Sequence, residues 1–353
     1  MKKNVVVIEG DGIGPEVIKQ AIKVLNSIEE KFSHNFLYKK MIAGSKAIEM
    51  FGDPMPKETI DSCLKSDAVL FGSIGNSKYD HYPRGMRPED GLLKLRKKMG
   101  LYCNIRPIIT YSEIINKSPI KKERLENVNF LIFRELTGGI YFGKKGRSQN
   151  KEEAYDYCIY SKKEIEKIGK IAFQAALSRK KKISLVDKAN VLETSRLWRE
   201  VIKEMSLNYP NVDLEFLYID NAAMQIIMNP KKFDIILTDN MFGDILSDEA
   251  SVITSSLGLL PSASIGVNNK SLFEPVHGSY PQAEGKNIAN PLGCILSVSM
   301  MLEYFGMCKE KILLEEAVKS SIEKKICTPD IIDSSLVTTE EVGNYIEKYI
   351  KNR

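Results

Sequence analysis

The chain has 353 residues, 43% apolar and 27% charged, with 51 Lys and Arg against 46 Asp and Glu and a net charge of +5. This composition excludes a disordered or membrane-embedded chain, and the length exceeds what one hydrophobic core usually organises, so two domains, or one large one with an inserted part, are expected. The basic stretches at 117–124 and 179–182 are short and lack interleaved aromatics, so no nucleic-acid partner is expected.

The opening MKKNVVVIEGDG has four apolar residues, Val5 to Ile8, before Glu9 interrupts. That falls far short of a secretory signal, and no run approaches a membrane span, so a cytoplasmic protein with no membrane partner is expected. The cysteines Cys63, Cys103, Cys158, Cys294, Cys308 and Cys327 form no C-x-x-C pair, which predicts neither a disulfide framework nor a zinc site.

In chain order, Val5 to Ile8 reads as a buried strand and Glu16 to Ile28 as a helix. Between them lies Gly10-Asp11-Gly12-Ile13-Gly14-Pro15. Its G-x-G-x-G-P spacing departs from the dinucleotide fingerprint and equally suits a tight turn with Pro15 early in the helix. Strands follow at Ala68 to Phe71 and Phe130 to Phe133. Arg96, in GLLKLRKK, is explained by surface placement when taken alone. Arg134 ends an apolar strand, where a charge needs a partner or a ligand. With Arg106, in LYCNIRP, the three could grip two carboxylates through planar forks.

Gly138 to Ser161, with Tyr141, Tyr155, Tyr157 and Tyr160, reads as a projecting hairpin suited to a subunit contact. Helical spacing covers Ser161 to Leu177 and Thr194 to Met205, and strands are expected at Ile183 to Val186 and Leu214 to Ile219. Lys188 and Asp220 follow these strands at their carboxyl ends, where α/β sites collect. Lys188 could serve as a base, or be a solvated loop lysine.

After a strand at Phe233 to Leu237, a helix is expected from about Gly243, which puts Asp244 in its first turn and Asp248 one turn on. Such a pair could hold a hard metal ion with Asp220 as third carboxylate, or be only an acidic helix start. The loop from Glu274 through His277 to Ser279 continues to Asn290-Pro291 and is expected to open a helix near Ile288, with helical spacing over Pro291 to Phe305. Alternating strands and helices predict the α/β class.

Several of these segments occur together and in order: GDGIGPEV (10–17), GLLKLRK with LYCNIRP (91–107), RELTGGIYFG (134–143), VDKANVLETSRLWREV (186–201), YIDNAAMQ (218–225), TDNMFGDILSDEAS (238–251) and FEPVHGS with GKNIANP (273–291). With them the chain resembles the isocitrate and isopropylmalate dehydrogenase family over nearly its whole length. The resemblance implies an isopropylmalate dehydrogenase-like fold, two α/β domains sharing a long open mixed sheet, and not a Rossmann fold. Residues 1–101 plus 256–353 would form the first domain, with the cofactor loop. Residues 102–255 would form the second, with the dimerisation surface, an arm hairpin at about 138–161 and the metal site. It also implies a homodimer whose sites are shared, Lys188 and Asp220 coming from the neighbouring subunit.

The implied chemistry is NAD-dependent oxidative decarboxylation of a 2-hydroxy acid assisted by one Mg or Mn ion. Lys188 would be the base, through Asp220 or a water, and Tyr141 the proton donor. Glu89, Leu92, Leu93, Arg96, Arg106, Arg134 and Asp220 would bind substrate, Asp220, Asp244 and Asp248 the metal, and Gly75, Asn190, His277, Gly278, Ser279, Gln282, Gly285 and Asn290 the cofactor. Isocitrate enzymes place Ser and Asn in the helix before the first arginine, whereas this chain has Asp90 and Leu92 there, beside Leu93 and near Glu89. Leu92 and Leu93 suit an isopropyl group and would leave a third carboxylate without a partner. The resemblance therefore implies conversion of 3-isopropylmalate to 4-methyl-2-oxopentanoate and CO2 in leucine biosynthesis. One departure is Gln282, where NAD users carry Asp. A glutamine can still bond a ribose hydroxyl, so NAD is expected with weaker discrimination against NADP. The other readings are a family member acting on tartrate, homoisocitrate or isocitrate, and a non-catalytic regulatory subunit.

Overall fold

The computed structural model describes all residues, 1–353. The first third contains β1 (Lys2–Gly10), α1 (Gly14–Phe32), β2 (Asn35–Met41), α2 (Ser45–Phe51), α3 (Lys57–Lys65), β3 (Ala68–Ser73) and α4 (Pro88–Met99). Next come β4 (Leu101–Ile109), α5 (Lys122–Leu125), β5 (Asn129–Glu135), β6 (Lys145–Arg147), β7 (Ala154–Asp156) and α6 (Lys162–Leu177). They lead into β8 (Lys182–Asp187), α7 (Glu193–Ser206), β9 (Asp213–Tyr218), α8 (Ile219–Met228), β10 (Ile235–Thr238) and α9 (Asn240–Ala250). The chain ends with β11 (Pro261–Gly266), β12 (Ser271–Pro275), α10 (Leu292–Tyr304), α11 (Cys308–Glu323) and α12 (Thr339–Asn352). The class is α/β, and no helix is long and apolar enough to cross a membrane.

Two compact units divide the chain. Met1–Leu101, Tyr111–Lys117 and Thr254–Arg353 form the first, and Tyr102–Thr110 with Ser118–Ile253 the second. The sequence-based division at 102–255 therefore needs one correction: 111–117 and the residues 254–255 lie in the first unit. Ile114 is the reason, because its side chain is buried in that unit's core.

In the first unit the strand order is β2-β1-β3-β12-β11, parallel except for the antiparallel β11–β12 pair. Val5, Val7, Leu70 and Phe273 pack with Val17, Ala21, Val24 and Leu25 of α1 and with α10. Helix α10 is buried around most of its circumference, as expected for LGCILSVSMMLEY, which has no polar face wide enough to meet water. It starts at Leu292, not near Ile288, because the Asn290 side chain accepts the Leu292 N–H at 2.9 Å and Pro291 supplies the cap.

In the second unit the order is β4-β5-β10-β8-β9, with only β4–β5 antiparallel. Phe133, Leu185 and Leu237 bury against Ile165, Ile168 and Phe173 of α6 and Trp198 and Ile202 of α7. Strands β6 and β7 form a separate antiparallel ribbon, after which Tyr157 and Ile159 are exposed, as is Tyr155 within it. Register places Thr238 opposite both Arg134 and Val186, and Asp187 opposite Tyr218. The carboxyl ends of these four parallel strands thus fall on one edge, where open α/β sheets bind ligands.

Helix α9 starts earlier than its pattern suggests. Asp239 caps it by accepting the Phe242 N–H at 2.9 Å, so Asp244 lies past the first turn and gains little from the helix dipole. Strand β9 likewise ends at Tyr218, and Ile219 belongs to α8.

Candidate active site

Helix α4 of the first unit carries Glu89, Leu92, Leu93 and Arg96 at spacings that share one face. Leu92 and Leu93 are half-buried and Glu89 is exposed. Asp90 is structural: its carboxylate accepts the N–H groups of Gly85 at 2.8 Å and Arg87 at 3.2 Å, capping the helix. One terminal nitrogen of Arg96 donates to Glu274 at 2.7 Å, and both side chains are largely buried. The Arg96 Nε–H is buried without a protein acceptor. One donor of this guanidinium is thus left unmatched, which is uncommon for a buried polar atom.

The glycine turn at 10–14 joins the nearby loops by its backbone and by Asp11. Ile13 N–H donates to the Ser279 carbonyl at 2.8 Å. The buried Asp11 carboxylate accepts Ser45 N–H at 2.8 Å and Gly75 N–H at 3.0 Å. Burial raises the Asp11 pKa, against the lowering effect of these backbone bonds. Gly75 has φ +133°, and a Cβ there would lie 2.8 Å from a Glu89 carboxylate oxygen. The backbone must therefore stay bare at this point.

Of the other expected cofactor residues, Gly278, Gln282 and Gly285 are exposed and Ser279 is buried. The Gly285 N–H is held by Glu16 at 2.5 Å. His277 Nδ1 lies 2.9 Å from the Gly278 carbonyl, which can only accept, so Nδ1 carries the proton and Nε2 is an acceptor. That Nε2 is buried and unmatched, and burial lowers the ring's pKa, keeping it neutral. The Asn290 side chain is already engaged, donating to Asp330 at 2.9 Å and accepting from Leu292, so it has its own structural task.

The second unit brings Arg106, Arg134, Tyr141, Asp244 and Asp248 together. Arg134 donates from Nε and Nη2 to Asn240 at 3.1 and 2.9 Å and from Nη1 to Asp244. Tyr141 donates to the other Asp244 oxygen at 2.7 Å and lies beneath the Arg134 guanidinium, 5.6 Å from ring centre. Gly243 permits this, since a Cβ there would come within 2.6 Å of Arg134 Cγ. Arg106 reaches Asn104 at 2.9 Å, the Ser247 hydroxyl, and Asp248 at 3.3 Å. Both arginines are buried, while the Asp248 side chain is 69% exposed. Burial and the neighbouring Asp244 carboxylate raise the Tyr141 pKa, so the phenol holds its proton at neutral pH. The buried Glu135 fastens the turn before it, accepting the N–H groups of Thr137 at 2.6 Å and Gly138 at 2.8 Å.

Lys188 and Asp220 form a separate pair at 2.8 Å, and the lysine lowers the Asp220 pKa. Asn190 is exposed on the turn that follows Lys188. Within one chain Asp220 does not group with Asp244 and Asp248, and no cluster of three or more His, Cys, Asp or Glu suited to a metal occurs.

Glu135 and Asn240 escaped the sequence reading, and Asp11 and Glu274 were named there only as parts of their loops, without a role. The signal for Glu274 was a lone carboxylate in the apolar strand SLFEP; that for Asp11 was an acid enclosed by glycines.

The isocitrate/isopropylmalate dehydrogenase family matches residues 4–346. A 3-isopropylmalate dehydrogenase from Priestia megaterium is 50% identical, over 100% of this chain and 97% of that one. One from Bacteroides fragilis is 48% identical over 99% of both. Among solved structures, an isocitrate dehydrogenase from Methylococcus capsulatus superposes with a TM-score of 0.89 at 33% identity, covering 99% of each chain. The chain belongs to the isocitrate/isopropylmalate dehydrogenase family.

Proposed function

We propose that the chain catalyses NAD-dependent oxidative decarboxylation of 3-isopropylmalate to 4-methyl-2-oxopentanoate and CO2 in leucine biosynthesis, as a homodimer and with one Mg or Mn ion. The observation that carries the reading is the contact of Tyr141 and Arg134 on the two oxygens of Asp244. It combines a protonated acid, an anion-binding guanidinium and a hard oxygen ligand in one cluster.

The residues fit both groups. For the metal, Asp244 and the exposed Asp248 offer the all-oxygen donors that a hard cation takes. Asp220 of the neighbouring subunit is the proposed third ligand. For NAD, the unmatched acceptor His277 Nε2 lies in the same loop as the exposed Gly278, Gln282 and Gly285, whose backbone a nucleotide could approach. NAD would supply the two-electron acceptor, and the ion the Lewis acidity that polarises a hydroxyl or carbonyl.

The chain's own residues perform the rest. Arg96 has a free Nε–H for a carboxylate, and Arg106 and Arg134 contribute the remaining positive charge. Leu92 and Leu93 present an apolar surface to the isopropyl group, and the third carboxylate of isocitrate would lose hydration there without a partner. The pair Lys188 and Asp220, offered to the neighbouring subunit's site, takes the hydroxyl proton. Tyr141 retains its proton at neutral pH and delivers it to the carbon that CO2 leaves. The exposed Tyr155, Tyr157 and Ile159 support a subunit contact through the hairpin.

The test is formation of NADH on 3-isopropylmalate, isocitrate, tartrate and homoisocitrate, with and without Mn. Metal-dependent turnover of isopropylmalate is expected, and activity on isocitrate alone overturns the substrate assignment. Absence of turnover on every acid would favour a regulatory subunit. Tyr141, Lys188, Asp220, Asp244 and Asp248 are all present, which argues against that reading.

A further inference from the structure

Arg199 lies on α7, four residues after Ser195, on the same helical face. Its planar fork grips the Asp187 carboxylate with Nε at 2.6 Å and Nη2 at 3.0 Å. Asp187 is only 3% exposed and ends β8, immediately before Lys188. Its Oδ1 also accepts the Ala189 N–H at 2.8 Å, closing the turn around Lys188. Ser195 accepts the Lys188 N–H at 3.0 Å, and the Lys188 carbonyl accepts from Val191 and Leu192 at 2.9 Å each. The lysine's backbone is thereby fixed on both sides.

The same guanidinium reaches β9. It stacks over Phe216 at 5.2 Å and Tyr218 at 4.9 Å from the ring centres. Tyr218 is the register partner of Asp187 and occupies the N-cap position of α8, two residues before Asp220. One side chain thus clamps the ends of two neighbouring parallel strands, and the next functional side chains from those ends are Lys188 and Asp220. Such a clamp exceeds an ordinary surface ion pair, because the carboxylate is buried and both prongs are used. A lysine could supply the charge without the fork or the stacking plane.

We propose that Arg199 is a positioning residue for proton transfer: by bridging the β8 and β9 ends it sets the Lys188–Asp220 separation and the direction of the lysine amine. The inference rests on the reading of Lys188 as the base.

The test compares full-length wild type with Arg199→Ala, Arg199→Lys and Lys188→Met. The measurements are NADH formation on 3-isopropylmalate with Mn, KM for both substrates, and Tm. For Arg199→Ala, kcat is expected to fall about tenfold or more while both KM values stay within about twofold, as when only the transition state loses an interaction. Millimolar guanidinium chloride should restore part of that kcat, but nothing in Lys188→Met. Arg199→Lys, which keeps the charge and most of the stem packing, should show an intermediate kcat at nearly wild-type Tm. It decides the matter if the alanine variant does not fold.

Full kcat in Arg199→Lys together with an unfolded Arg199→Ala would show a purely structural role and overturn the proposal. So would a folded Arg199→Ala with wild-type kcat beside an inactive Lys188→Met. Wild type without turnover, or Lys188→Met with full turnover, sinks the functional reading instead.

Discussion

The cluster on Asp244 and the loop around His277 handle polar groups in opposite ways. Around Asp244, charge is matched within the protein: Arg134 and Tyr141 occupy its two oxygens, and Arg106 meets Asp248. Around His277, a ring nitrogen is buried without a partner, and Gly278, Gln282 and Gly285 are exposed. Arg96 lies between these extremes, with one prong on Glu274 and Nε unmatched. The difference follows from the cost of burial. A buried charge without a counter-charge is destabilising by several kcal/mol, whereas a neutral acceptor left unmatched costs about 1–3 kcal/mol and can await a ligand.

Removing a charge from the matched cluster should have the largest effect. Asp244→Asn should lower Mn-dependent turnover by about a thousandfold or more, with far-UV circular dichroism unchanged. A variant that keeps its rate would return Asp244 to the role of a surface acid. Arg96 tests the half-matched case. Arg96→Met should reduce kcat/KM for isopropylmalate about a hundredfold, the magnitude of a charge-assisted hydrogen bond of about 2–3 kcal/mol. An unchanged kcat/KM would mean that Glu274 is the only group Arg96 serves.

The open loop should respond more gently. Gln282→Asp should raise the preference for NAD over NADP about tenfold, because a carboxylate bonds ribose hydroxyls and repels a 2′-phosphate. Equal kcat/KM ratios in variant and wild type would remove Gln282 from cofactor selection.

Asp239 is tested by stability rather than by turnover, and gives a pH signature. Its burial raises the pKa from the usual 3.8 to about 6, so the folded state holds this proton more tightly than the unfolded chain. Its contribution to stability is therefore full below pH 3.8, declines between pH 3.8 and 6, and is lost above. Asn keeps the capping oxygen and does not titrate. Asp239→Asn should gain about 1–3 kcal/mol relative to wild type between pH 4 and pH 8, read from urea midpoints at the two pH values. A gap independent of pH refutes the titration.

Much of this architecture was legible in the residues. The apolar runs at 68–71, 130–133 and 183–186 lie within strands, and the helical spacing at 16–28 and 161–177 falls almost wholly within α1 and α6. Those segments are periodic because one face or both must leave water. Strand β2, NFLYKKM, was missed because it is an edge strand with exposed lysines, and polar edge positions carry no burial signal. The start of α9 was misplaced because Asp239 caps it within a run of similar polar residues, and pattern alone does not say which one turns inward.

By itself, then, the sequence determined the α/β class and the family and named candidates for the chemistry, since periodicity and ordered motifs are local properties. Only the tertiary structure decided what those residues do for one another. Arg96 meets Glu274 across 178 positions of chain, and Arg134 meets Asn240 across 106. It also showed Asp90 and Asn290 committed to helix starts and Arg199 gripping the acid before Lys188. Hydrogen bonds depend on distance and direction between side chains far apart in the chain, and that information exists only once the strands are in register.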